Sequence, residues 1–148
     1  LLKIKIAKDP TPPEAPVTKI GKLLVILFFI IFWTTYIEVN PAVPKIIQFS
    51  PQASIYVADN ASTDTSVAFV KNNFPSVTII QNDGNYGFAK GYNLALEQVE
   101  EEYYALVNSD IEVTKNWLTP ILSIFDNEAK IGIIQPKLLD YKNKEYFE

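Results

Sequence analysis

The chain has 148 residues, 48% hydrophobic and 20% charged, with a formal net charge of −4; this is the size and composition of one globular domain and excludes two complete catalytic domains. Histidine, cysteine and methionine are absent and all 13 basic residues are lysines, which rules out disulfides, thiolate nucleophiles, Ser-His-Asp triads and Cys/His zinc sites and leaves any metal to oxygen ligands, hence Mg²⁺, Mn²⁺ or Ca²⁺. An acidic chain without arginine lacks the clustered positive charge of a phosphate-tracking surface, so nucleic acid is not the expected partner.

Residues 1–22 carry Pro10, Pro12, Pro13 and Pro16 among polar residues and read as an extended, poorly ordered arm, since proline removes donors and favours polyproline geometry. The missing methionine suggests that Leu1 is not the biological start. From Leu23 to Ile37 there is no charge. As a helix this run would span only about 22 Å, short of a bilayer's hydrocarbon core, whereas its Val, Ile and Phe content suits a buried parallel strand. The strand reading is preferred, with a membrane segment as its rival. Pro41 and Pro44 are expected to disrupt the helix that should follow.

Beyond Pro51, strand and helix alternate. Strands are expected at Ile55–Ala58, Val77–Ile80, Tyr103–Val107 and Ile131–Ile134. Helical stripes fall on Val67, Val70 and Phe74, then on Phe88, Tyr92, Ala95 and Val99, then on Trp117, Leu118, Ile121, Leu122 and Phe125. The helices are predicted over 64–73, 88–100 and 116–127. The alternation predicts an α/β fold, a mostly parallel sheet flanked by helices, with all parallel strands ending on one edge.

In such a sheet the ligand crevice lies beyond the carboxyl ends of the strands, and three polar clusters stand there. In Asp59-Asn-Ala-Ser-Thr-Asp64, Asp59 ends a strand and can accept hydrogen bonds from a nucleobase or a ribose; the plainer reading is a turn, with Ser62, Thr63 or Asp64 capping the next helix. In Asn82-Asp-Gly-Asn-Tyr-Gly87-Phe-Ala-Lys-Gly-Tyr-Asn93, Gly87 permits positive φ, the helix start offers free N–H groups to a phosphate, and Lys90 is a mobile counter-charge. The spacing is neither a P-loop nor a dinucleotide fingerprint. In Asn108-Ser-Asp110, two oxygen-bearing side chains leave a strand on the same side, as a divalent cation on a diphosphate requires, or they build a polar turn.

Taken in order, Asp59-Asn-Ala-Ser-Thr-Asp64, Gly87-Phe-Ala-Lys-Gly-Tyr-Asn93 and Asn108-Ser-Asp110 followed by Trp117-Leu118 resemble the signatures of family 2 glycosyltransferases, in particular the rhamnosyltransferase-like enzymes of cell-surface polysaccharide synthesis. The resemblance is good over residues 52–148 and loose over 22–50. It implies a GT-A, Rossmann-like fold, incomplete at the C-terminus, in which residues 23–148 form the nucleotide-sugar-binding part. It implies a donor site of Asp59, Asn60, Gly87, Lys90, Asn108 and Asp110, with Asp110 as ligand to Mg²⁺ or Mn²⁺. It further implies inverting transfer from a nucleotide-diphospho-sugar to a saccharide or lipid-linked acceptor, in the cytoplasm or at the inner face of the membrane.

Two departures accompany the match. Leu27–Trp33 is apolar where members carry a short polar loop enclosing the nucleotide, so that side of the pocket is expected to be altered. The general base is expected beyond Glu148, so no catalytic residue is assigned and the chain alone is expected to be inactive. Two further readings keep the α/β architecture: a non-catalytic module holding Mg²⁺ on Asp59 and Asp110, and a domain anchored to a membrane through residues 23–37.

Overall fold

The computed structural model describes residues 5–8, 23–29 and 42–146. In chain order the elements are β1 (Lys5–Lys8), β2 (Leu23–Phe29), α1 (Ala42–Phe49), β3 (Ala53–Asp59), α2 (Ser66–Asn73), β4 (Thr78–Gln81), α3 (Gly87–Leu96), β5 (Tyr103–Asn108), α4 (Thr119–Asn127) and β6 (Ile133–Ile134). They form one six-stranded sheet in the order β4-β3-β2-β5-β1-β6. The first four of these strands are mutually parallel, while β1 runs antiparallel to both β5 and β6.

Two of these elements bear on the N-terminal expectations. Lys5–Lys8 falls in the segment read as an arm but is a strand, with Lys5 opposite Leu106 and Ile6 opposite Ile134. The prolines that suggested an arm begin only at Pro10, and the residues before them alternate Lys3-Ile4-Lys5-Ile6, a strand period. The rest of residues 1–22 lies outside the described residues. The apolar run is a strand over Leu23–Phe29, paired along both edges with β3 and β5. An unbroken apolar run is the usual sequence of a central strand in a parallel sheet. Residues 30–37 lie outside the described residues, and no described helix is long and apolar enough to cross a membrane.

Side-chain alternation sorts the core into two layers. Val57, Tyr103, Ala105 and Val107 face one side with Val43 and Ile46 of α1, Val70 of α2 and Ile121 and Phe125 of α4. Ala58 and Ile80 face the other with Tyr92 and Ala95 of α3, and Tyr56, Tyr104 and Leu106 pack beside them. Three helices therefore cover one face, and α3 the other.

The helix ends differ from expectation for local reasons. Pro44 does not break α1, because it is the third helical residue, where a backbone N–H would have no intrahelical partner; Pro41 lies outside the described residues. α2 starts at Ser66, whose N–H is taken by Asp64 Oδ1 at 2.9 Å. α3 stops at Leu96, ahead of Glu100-Glu101-Glu102, whose charges oppose the negative end of the helix dipole. α4 begins only at Thr119, with Pro120 in its first turn, because Asn116 holds φ at 61° and cannot continue a helix. Phe88, placed on the buried stripe of α3, is 48% exposed and meets Tyr92 edge-on at 4.9 Å.

Candidate functional site

The parallel strands finish level with one another. Asp59 lies opposite Phe29 and Asn108 opposite Phe28, so the ends of β3 and β5 flank the end of β2 on the carboxyl edge. Gln81 of β4 lies opposite Asp59, which brings Asn82 to the same edge.

At the end of β3 the chain winds around a carboxylate. Asp59 is 2% exposed; its two oxygens accept the Ser62 backbone N–H at 3.2 and 3.3 Å, and Oδ1 also accepts the Ser62 hydroxyl. The loop closes tightly enough to hold Ala61 at φ 61°, a left-handed conformation that costs a residue with a Cβ about 1–2 kcal/mol. Asp64, one of three expected caps, is the one that receives a first-turn N–H.

Asn60, expected in the donor site, is bonded to the neighbouring glycine turn. It is buried, and its amide is filled by protein partners: Nδ2 donates to Asn85 Oδ1 at 2.9 Å and to the Gly87 carbonyl at 3.3 Å, while Oδ1 accepts from Asn82 Nδ2 at 3.1 Å and from the Tyr86 N–H at 3.3 Å. An asparagine side chain has two donors and one double acceptor to offer, and all are used. Asn60 thus shapes the glycine turn. Asn82 extends the network to the Gly91 carbonyl at 3.2 Å, and Asn85 Oδ1 takes the Gly87 N–H at 3.1 Å. Sequence reasoning included Asn82 and Asn85 in a cluster without giving them work. The signal was the density of asparagine around one glycine turn, since Asn is the side chain that best imitates backbone hydrogen bonding.

Gly87 opens α3 with φ 71°, the conformation for which glycine was expected. Open space surrounds the position where its Cβ would lie, so the constraint is the dihedral rather than crowding. Lys90 is exposed and sits 4.1 Å above the centroid of the Tyr86 ring. This cation–π contact holds the ammonium at the start of α3, beside the turn it was expected to serve. The Tyr86 hydroxyl donates to Asp83 at 2.7 Å, a bond that raises its pKa.

At the end of β5, Asn108 is half-buried and its Oδ1 accepts the Tyr92 hydroxyl of α3 at 3.2 Å; Asp110 is exposed. Burial raises the Tyr92 pKa, and the Asp110 carboxylate nearby adds to the shift. Through Asn60 at one side and Tyr92 at the other, the turn and helix 84–96 connect the ends of β3 and β5. Beyond Asp110 the chain alternates, with Ile111 and Val113 buried and Glu112 ion-paired to Lys45 of α1, whose ammonium lowers the Glu112 pKa. Trp117 Nε1 donates to the buried Ser50 hydroxyl at 3.0 Å, a second tie between this loop and the end of α1. A cavity of about 420 Å³ opens here, lined by Asp110, Glu112, Trp117, Leu138, Tyr141 and Lys144 among others.

Among the described residues no three Asp, Glu, His or Cys side chains gather into a metal cage. The donor set nevertheless fits a hard divalent cation. Such an ion on a diphosphate takes most of its ligands from phosphate and water and one or two carboxylates from protein, and Asp110 is an exposed carboxylate at the crevice edge.

A mostly parallel sheet covered on both faces, with an acidic loop, a glycine turn and an Asn-x-Asp at neighbouring strand ends, defines the GT-A class of α/β fold. The same fold is found in a mannosyltransferase from Pyrobaculum calidifontis, solved in complex with GDP-Man and Mn²⁺, to which this chain is similar at 22% identity with a TM-score of 0.52 over 68% of its length. The chain spans 31% of that protein. The family model for glycosyl transferase family 2 matches residues 42–146, and the chain belongs to that family. No curated protein matches it.

Proposed function

We propose that this chain is the donor-binding part of a glycosyltransferase that takes a sugar from a nucleotide-diphospho-sugar and passes it, with inversion, to a hydroxyl of a saccharide or lipid-linked acceptor. The observation that carries the reading is the convergence of Asp59, the Gly87 turn with Lys90, and Asn108 with Asp110 at one sheet edge. Membership of glycosyl transferase family 2 and the GT-A fold support it. Base and ribose lie toward Asp59, and the diphosphate lies toward Asp110 and the start of α3, where N–H groups and Lys90 meet its charge. Asp110 would hold Mg²⁺ or Mn²⁺, which when bound neutralises the charge that develops on the leaving diphosphate.

In the transfer, an acceptor oxygen forms the new bond to the anomeric carbon, the bond to the diphosphate oxygen breaks, and the hydroxyl proton passes to a carboxylate base. Two carboxylates near Asp110 are occupied otherwise: Glu112 by Lys45, and Asp140 by the N–H groups of Lys142 and Asn143. No base is assigned. We place the acceptor in the cavity beside Asp110, a choice supported by an aromatic and charged lining that suits a sugar ring with hydroxyls. Resemblance to the rhamnosyltransferase-like enzymes supports a role in cell-surface polysaccharide synthesis, in the cytoplasm or at the inner face of the membrane.

Titration calorimetry with UDP, GDP and dTDP, each with and without Mn²⁺ or Mg²⁺, tests the reading. Weak binding that strengthens with metal is expected for at least one nucleotide. Binding indifferent to metal, or none to any of the three by a folded sample, rejects it.

A further inference from the structure

The parallel strands finish level with one another, but they do not start level. β3 begins at Ala53, whereas its ladder with β4 begins only at Tyr56, opposite Thr78. The Asp59 carbonyl accepts the Asn82 N–H at 2.8 Å. Alternate residues of a parallel strand turn their N–H and C=O groups to the same neighbour, so Val57, Ile55 and Ala53 also face the β4 side. Before Thr78 there is no β4 to meet them, and the Ile55 N–H and the Ala53 carbonyl border a gap. That gap is a cavity of about 360 Å³ at the amino edge of the sheet, closed by Ile47, Ser50 and Pro51 around the end of α1 and by Ser76 and Thr78. Its described lining includes no Asp, Glu or Lys. Ser54, Ser76 and Thr78 are exposed, and none of their hydroxyls is bonded to another described residue. The buried Ser50 hydroxyl accepts Trp117 Nε1 at 3.0 Å, and Trp117 also lines the cavity beside Asp110.

We propose that this notch is a second carbohydrate site, which takes an uncharged saccharide about 20 Å from Asp59 along β3, at the usual rise of a strand. A lining without charge gives a phosphate or a carboxylate nothing to offset the loss of its water. Serine and threonine hydroxyls both donate and accept, and an open N–H beside an open carbonyl does the same. A ring with neighbouring hydroxyls needs both at once, and Ile47 and Pro51 offer apolar surface to its C–H face. An extended peptide would find only one N–H and one carbonyl on this edge, too short a row for strand addition. The choice of a sugar among neutral ligands rests on the transferase reading above, in which the acceptor is a saccharide. A glycan held at a point remote from its reacting end stays near the enzyme between transfers, as a linked second contact raises effective concentration.

The test follows the amide and indole N–H signals of the full chain by nuclear magnetic resonance during titration with methyl mannoside, methyl rhamnoside and methyl glucoside, and separately with inorganic phosphate and a blocked trialanine peptide. With at least one glycoside the amides of Ser54, Ile55, Ser76 and Thr78 are expected to move together, with a Kd in the millimolar range. The Trp117 indole signal should move with them through its bond to Ser50. Ser54→Ala and Thr78→Val remove one exposed hydroxyl each, and valine keeps the branched side chain that suits a strand. Each should weaken the glycoside roughly two- to ten-fold, as loss of one neutral hydrogen bond does, with nucleotide binding unchanged. No movement with any glycoside overturns the inference, as do unchanged affinities in both variants. So does a stronger response to phosphate or to the peptide, which would make the notch an anion or strand site. Movement confined to Ile111–Trp117 would put the sugar only in the cavity beside Asp110 and likewise overturns it. Titration of the same samples with GDP and UDP separates the two readings: glycoside binding at the notch without nucleotide binding removes the donor site and leaves this one, and the reverse result removes the notch alone.

Discussion

Replacing Asn60 by alanine probes how much of the crevice is held by one amide. The substitution removes four hydrogen bonds, two given to Asn85 Oδ1 and the Gly87 carbonyl and two received from Asn82 Nδ2 and the Tyr86 N–H. Two of the partners keep a second bond, Asn85 Oδ1 to the Gly87 N–H and Asn82 Nδ2 to the Gly91 carbonyl. The others belong to exposed residues, Tyr86 and Gly87, which water can reach. At about 0.5–1.5 kcal/mol per bond, with partial compensation, the expected loss is roughly 2–3 kcal/mol in urea unfolding. Asn60→Asp sharpens the test, because it turns the donating end into an oxygen facing two acceptors. At neutral pH it should destabilise more than alanine. Burial and those acceptors raise the new carboxyl's folded pKa, so its favourable contribution is full below the unfolded value of about 3.9 and lost as pH rises through the folded one. Asn60→Asp should therefore recover toward the wild type in acid, whereas Asn60→Ala should not. A loss under about 0.5 kcal/mol for Asn60→Ala, or an Asn60→Asp deficit indifferent to pH, refutes the reasoning.

Other perturbations address the remaining features. Ala61→Gly should raise stability by about 0.5–1 kcal/mol, because relief of the left-handed strain exceeds the extra unfolded-state entropy of glycine; a urea midpoint that falls would mean the φ of 61° is not strained. Asp110→Ala should abolish the metal-dependent increment in nucleotide affinity, while Asp59→Ala weakens nucleosides and nucleotides alike, and identical calorimetric profiles for the two would contradict separate contacts. Tyr103 is buried and donates to Asp126, and burial with the Glu102 and Asp126 charges pushes its phenol up to about 12. The folded state therefore holds that proton more tightly than the unfolded chain. Its contribution is full below about pH 10, the unfolded value, and is lost as pH rises toward 12; urea midpoints of wild type and Tyr103→Phe should converge across that window.

Much of this fold was legible because the strands beyond Pro51 are short apolar runs separated by helical periods, and the sheet they form is the one their alternation demands. The three polar clusters were legible for a related reason: a strand that ends in Asp59 or Asn108 must deliver that side chain to the sheet edge. The partners were harder to read. That Asn60 faces inward, that Asn85 answers it 25 positions away, and that Tyr92 reaches Asn108 depend on how α3 packs across the sheet, and no local period encodes that. Pro44 was misjudged because proline's cost depends on its distance from the helix start, and Asn40-Pro41, a capping residue type followed by proline, is itself a start signal that puts Pro44 in the first turn. β1 was hidden by the prolines that follow it.

The antiparallel strand β1 also sets an order of events during synthesis. It is paired to β5 on one side and β6 on the other, with Lys5 opposite Leu106 and Ile6 opposite Ile134, so it leaves the ribosome roughly a hundred residues before either partner, several seconds at usual elongation rates. Meanwhile β2 and β3 can meet across a much shorter loop, and closing the far half of the sheet is entropically the costlier step. β1 is thus the last stitch of this sheet although it is translated before the other five strands, and until it is made the edge of β5 beside Asn108 stands open to any other extended chain.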